Sequence, residues 1–197
     1  MIDSFFRTSY QRLIITPILN RKAMRLLSPN SLTIGAALFG IAIPFLLFFS
    51  HTYFAFFALL LSGFCDTLDG SLARSTGKTS ATGAMIDILS DRLVEFSVIF
   101  GLYLVNPNAR SAPALAMLGA VLMCITSFLV VGIFEQNYSN KSFHYSPGLI
   151  ERAEAFVFFA AMLLFPALFS YLAYLFTSLV FTTAILRAYQ FATKVAR

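Results

Sequence analysis

The sequence predicts an all-α integral membrane protein: a bundle of six transmembrane helices behind an N-terminal amphipathic surface helix. Three observations carry that reading. Hydrophobic residues make up 58% of the 197-residue chain, and mean hydropathy is +0.79. Charged residues make up 12%, about half the share usual in a soluble domain. The apolar residues gather in runs close to the ~20 residues that cross a hydrocarbon core.

In chain order, residues 3–27 mix Phe5, Phe6, Leu13, Ile14 and Ile18 with Arg7, Arg12, Arg21, Lys22 and Arg25. That mixture suits a helix lying on the membrane surface, broken near Pro17. Its basic region is too long for a cleaved signal peptide. "SPNSLT" (28–33) opens the first span, with Ser28 or Asn30 as cap and Pro29 restricting the entry. Six spans are expected at about 31–50, 52–75, 81–105, 112–134, 149–166 and 169–192. "NPNAR" (106–110) and "EQNYSNKSFHYSPG" (135–148) read as polar connections, and Pro166 as a tight turn. The whole chain, 1–197, reads as one membrane domain: residues 1–27 form the juxtamembrane helix and 28–197 the bundle.

The net charge of +5 stands at the ends of the apolar runs. It therefore points to topology and lipid headgroups, with no nucleic-acid partner. Thirteen of the fourteen Lys and Arg residues fall on one side of this layout and Arg110 alone on the other. Both termini are thus expected in the cytosol. Cys65 and Cys124 lie in apolar runs without metal-ligand spacing, which argues against zinc or a disulfide frame.

Four of the five aspartates crowd into "CDTLDGSLARSTGKTSATGAMIDILSD" (65–91). Asp66 and Asp69 are three apart and share a helix face with Gly70 and Ala73 close by. Gly83, Asp87, Asp91 and Glu95 recur every four residues and form one stripe. A short polar turn, "STGKTSAT" (75–82), makes the two helices antiparallel neighbours and lets the two Asp pairs face each other. Four adjacent carboxylates cannot all stay ionised uncompensated at a membrane, where each costs at least ~2.5 kcal/mol. Arg74 and Arg92 do not balance them. Divalent cations do, and oxygen-only ligands favour Mg²⁺, Mn²⁺ or Ca²⁺ over Zn²⁺. Four carboxylates suit two ions better than one, an arrangement fitted to phosphoryl displacement. Gly70, Ala73 and Gly83 clear space beside the acids, and Arg74 can fork onto a diphosphate. The alternative is a non-enzymatic divalent-cation transporter using the acids as an ion path. It would need polar residues across the bilayer, whereas both helices turn apolar away from the cluster.

The run D-x2-D-G-x2-A-R-x8-G-x3-D-x3-D, from Asp66 to Asp91, resembles the signature of the CDP-alcohol phosphatidyltransferase family, with every fixed position filled. The resemblance implies transfer of a phosphatidyl group from CDP-diacylglycerol, or a related CDP-lipid, to a small alcohol with release of CMP. It implies two Mg²⁺ or Mn²⁺ ions held by Asp66, Asp69, Asp87 and Asp91, with Asp91 as general base. It assigns Gly70, Ala73, Gly83 and Arg74 to the CDP-lipid, with Thr67 and Asn30 beside them, and it implies a homodimer.

"DILSDRLVEF" and "GLIERAEAF" (148–156) resemble the inositol branch of that family, which makes Arg92, Glu95 and Arg152 candidates for the acceptor. The fourth span carries the uncharged "TSFLVVG" (126–132) where forms using inositol phosphate have a basic run. That departure counts against a phosphorylated acceptor and inositol phosphate in particular, and leaves free inositol, glycerol phosphate or another alcohol open. Most of the 23 Phe read as lipid-facing or core. Tyr10, Tyr138 and Tyr145 read as interface residues, His51 and His144 as loop residues, and Arg187 as a topology or lipid-headgroup charge, with lining of the acceptor cavity as the lesser alternative.

Overall fold

A computed structural model describes residues 10–19, 21, 24, 27–138, 150 and 152–195. Much of the expected surface helix, including Arg7, Lys22 and Arg25, lies outside the described residues, as do Tyr145, His144 and the connection over 139–149. Within the N-terminal segment, a π-helical turn (Gln11–Ile15) runs directly into α1 (Thr16–Leu19). The break expected near Pro17 is absent. The Thr16 N–H donates to Gln11 O, and Thr16 Oγ1 donates to the same carbonyl at 2.9 Å. This wider turn accommodates the proline ring that a regular helix would crowd.

Six longer helices follow: α2 (Pro29–Phe48), α3 (Thr52–Thr76), α4 (Ala81–Val105), α5 (Pro107–Tyr138), α6 (Arg152–Leu164) and α7 (Phe169–Val195). Among the described residues four helices are long and apolar enough to cross a membrane: α2, α3, α5 and α7. α4 has the length but carries Asp87, Asp91, Arg92 and Glu95, and α6 has 13 residues. Leu38, Phe45, Phe54, Phe57 and Leu122 are more than half exposed, as befits side chains whose solvent is lipid.

The caps explain the boundaries. Ser28 accepts the Ser31 N–H at 3.1 Å and starts α2. Gly77 ends α3 in the left-handed conformation (φ 66°), its N–H closing on Ala73 O. Ser80 accepts the Gly83 N–H at 3.0 Å and starts α4. "NPNAR", expected as a connection, is instead the start of α5. Asn106 Oδ1 accepts the Ala109 N–H at 3.3 Å, and Pro107 takes the first helical position, where a missing N–H costs nothing. α5 also runs on through 135–138, likewise expected as loop. Pro166 opens a 3-10 turn (Pro166–Leu168) between α6 and α7.

Two packed units result. α2 lies against both α3 and α4, while α3 and α4 hardly touch each other, so they are not the direct neighbours that the short turn implied. Small residues bring α2 this close: a Cβ on Gly40 would come within 2.6 Å of Val94, and one on Gly101 within 2.9 Å of Pro44 Cα. Ser62 Oγ adds a hydrogen bond to Ala36 O at 2.8 Å. The second unit is α5 against α7. α4 packs directly against α5, and α6 touches α3, α4 and α7, so both join the two units; Phe159 of α6 is buried against Phe176 of α7 at 5.5 Å between ring centroids. At the far end, buried Arg110 donates to Leu102 O (3.0 Å) and Pro166 O (3.1 Å) and lies over the Phe169 ring. The one basic residue expected on that side is thus an internal tie between turns.

Candidate active site

The acids meet across the gap between α3 and α4. Asp66 and Asp69 stand in the last turns of α3, and Asp87 one turn into α4. One carboxylate oxygen from each lies within 4.8 Å of the others. α2 closes the back of this group: Thr33 Oγ1 donates to Asp69 Oδ2 at 2.5 Å, with both residues buried. Asp87 Oδ1 is buried and has no hydrogen-bond partner. Three convergent carboxylates, one with an orphaned oxygen, fit a divalent cation, because hard oxygen donors and excess negative charge are what such an ion requires.

Asp91, one turn further along α4, stands outside that triad. It is joined to it through Arg152 of α6, whose Nη2 contacts both Asp66 Oδ1 and Asp91 Oδ1. The local residues around the triad are arranged as follows. Thr67 Oγ1 donates to Gly63 O at 2.9 Å, within its own helix. Exposed Arg74 donates from Nη2 to Ser71 Oγ at 3.2 Å, and a Cβ on Gly70 would lie 3.2 Å from Arg74 Nη1. A Cβ on Gly83 would lie 3.5 Å from Asn30 Oδ1, so the start of α2 reaches the start of α4. Ala73 is half-buried, on the same helix end.

Beside the acids lies a cavity of about 390 Å³ between α4, α5, α6 and α7. Asp87, Asp91, Arg92, Glu95, Arg152 and Arg187 supply its charged lining, and Cys124, Ile125, Phe128 and Phe176 part of its apolar wall. Two of its guanidinium groups are paired with acids: Arg152 as above, and Arg92 with Glu95 at 2.6 Å. Arg187 is different. It donates to Cys124 O at 3.1 Å and Ser127 Oγ at 3.4 Å and lies over the Phe128 ring, all neutral partners. Read from sequence first as a topology or headgroup charge and second as a cavity residue, it lines the cavity. Thr183 and Gln190 are its only polar neighbours at helical spacing, and they form no charged stripe with it. Thr33 was missed as a site residue, although it stands in the quoted "SPNSLT".

The profile of the CDP-alcohol phosphatidyltransferase family matches residues 26–189. The chain is 33% identical over 171 residues to the inner membrane protein YnjF of Escherichia coli, covering 83% of this chain and 82% of that protein. It is 31% identical over 113 residues to an archaetidylinositol phosphate synthase of Pyrococcus horikoshii, covering 57% and 53% of the two chains. The crystal structure of the Mycobacterium tuberculosis phosphatidylinositol phosphate synthase with CDP-DAG bound shares the fold. The TM-score is 0.67 at 22% identity, over 90% of this chain and 93% of that one.

Proposed function

This chain belongs to the CDP-alcohol phosphatidyltransferase family, a transferase rather than an ion path, and from that premise we propose that it transfers the phosphatidyl group of CDP-diacylglycerol to an inositol phosphate with release of CMP. The observation that carries the reading is a cavity with acids at one wall and, among its lining residues, a guanidinium, Arg187, with no carboxylate partner among the described residues. The basic group missing from the fourth span is supplied from α7 instead. Arg187 and Arg92, with Arg152, hold the acceptor's phosphate by charge-assisted hydrogen bonds. The names of the Pyrococcus relative and of a Corynebacterium glutamicum phosphatidylinositol phosphate synthase, 25% identical over 149 residues, support an inositol-type acceptor.

Asp66, Asp69 and Asp87 would hold the first of two Mg²⁺ or Mn²⁺ ions, and Asp91 would contribute to the second. When bound, these ions neutralise charge on the diphosphate. Arg74, Asn30 and Thr67 hold the nucleotide end of the CDP-lipid, and Gly70, Ala73 and Gly83 leave it room. Asp91 takes the proton of the acceptor hydroxyl. The oxygen thus freed bonds to the lipid-attached phosphorus, the bond from that phosphorus to the CMP oxygen breaks, and CMP leaves. Positioning of the two substrates supplies much of the remaining rate. The rest of the reading is a single domain, 1–197, of six spans behind a surface helix over 1–27. Both termini and the acids face the cytosol, as the basic residues favour, and the protein is a homodimer, as the family resemblance favours.

The test is CMP release by the purified protein with CDP-diacylglycerol, Mg²⁺ and a panel of inositol phosphate, inositol and glycerol phosphate. Inositol phosphate is expected to give the fastest release. Faster release with unphosphorylated inositol would remove the anion from the account, and faster release with glycerol phosphate would remove the ring.

A further inference from the structure

Arg152 occupies a position that a cation between α3 and α4 would also take. Its Nη2 alone meets Asp66 Oδ1 on one helix and Asp91 Oδ1 on the other. The same side chain lines the cavity that holds Arg187. Its helix is anchored independently of that contact, because Phe159, Met162 and Leu163 of α6 are buried and Phe159 packs on Phe176 of α7. The guanidinium can therefore change partners without the backbone moving. A divalent ion on these oxygens and a guanidinium on the same oxygens repel each other at close range.

We infer that Arg152 is an exchangeable counter-cation: it shares Asp66 and Asp91 with a divalent metal ion and, when displaced, turns into the cavity to hold an anionic group of the acceptor. This rests on the reading of the acids as a metal site. Its consequence is coupling between two ligands. With Asp66 and Asp91 bound to metal, Arg152 is free for an anion. With an anion in the cavity, Arg152 no longer competes for the acids. Linkage requires the two effects to be equal in size.

Mn²⁺ binding to the purified full-length protein, followed by electron paramagnetic resonance of the free ion, tests this without turnover. In the wild type, inositol phosphate is expected to tighten Mn²⁺ binding by about 5-fold or more, the low end of ordinary coupling. Arg152→Gln is expected to bind Mn²⁺ at least ~5-fold more tightly than wild type without the anion, and to lose the response to inositol phosphate. Arg152→Lys keeps one charge but not the planar fork, so it should fall between the two. It also provides the comparison if Arg152→Gln does not fold. Unchanged or weaker Mn²⁺ binding in the folded variants, or a wild type indifferent to inositol phosphate, overturns the exchange while leaving the metal site standing. No Mn²⁺ binding by any of the proteins overturns the metal site and the exchange with it.

Discussion

The acid triad and the cavity beside it are built in opposite ways. The triad draws its carboxylates from residues 66 to 87, two helix ends and the turn between them. The cavity draws its charged lining from residues 87 to 187, on helices that meet only through tertiary packing. The first depends on helical period and one short connection, and the second on how α4, α5, α6 and α7 come together. Under the proposed function, the chemistry a fold must keep fixed, the handling of a diphosphate, would sit in the local part, and the choice of alcohol in the part assembled at long range. Asp87 belongs to both, and Asp91, one turn along α4, lines the cavity beside it, so under the proposed function a proton acceptor there would serve a hydroxyl in the cavity.

If that division holds, damage to the triad and damage to the cavity should read out differently. The largest effect is expected from removing divalent metal. Excess EDTA should abolish CMP release, and added Mg²⁺ or Mn²⁺ should restore it. Next comes Asp91→Asn, which should slow turnover by about 10²–10⁴-fold, the usual worth of a positioned base. Equilibrium binding of CDP-diacylglycerol should survive that change. Normal turnover in this variant would sink the role of Asp91.

On the cavity side, Arg187→Gln should raise the KM for inositol phosphate by about 10–150-fold, the worth of one hydrogen bond to a charged group. The KM for CDP-diacylglycerol should stay near the wild-type value. Equal rises in both constants would erase the boundary drawn here. The smallest effect on turnover belongs to the far end. Arg110→Gln gives up two carbonyl contacts and a ring contact, so thermal unfolding should begin at lower temperature while both KM values remain. Gly101→Val should behave likewise, since its Cβ meets Pro44 backbone, and overpacking of this kind costs about 1–3 kcal/mol.

The same contrast explains what the sequence made legible. Asp66, Asp69 and Asp87 could be brought together on paper because residues three or four apart share a helix face and a short turn reverses the chain. The intervening helix could not, because the turn says nothing about what lies between α3 and α4. Ala36, Ala37 and Gly40 in the first span, buried against its neighbours, were the available sign of close approach. Arg152 was found through a resemblance around "GLIER", and its bridge to Asp66 and Asp91 came only from the packing of α6. Arg187 had no pattern at all. A single arginine near the end of an apolar helix normally marks membrane topology, and only the neighbouring Cys124 and Phe128 of α5 show where it points.

Under the proposed function, metal site and cavity serve one reaction. CMP release from CDP-diacylglycerol by the purified protein tests it most directly, with Mg²⁺ and inositol phosphate added separately and together. Rapid release is expected only when both are present. Release that continues in excess EDTA, or that proceeds at the same rate without any acceptor, would contradict it.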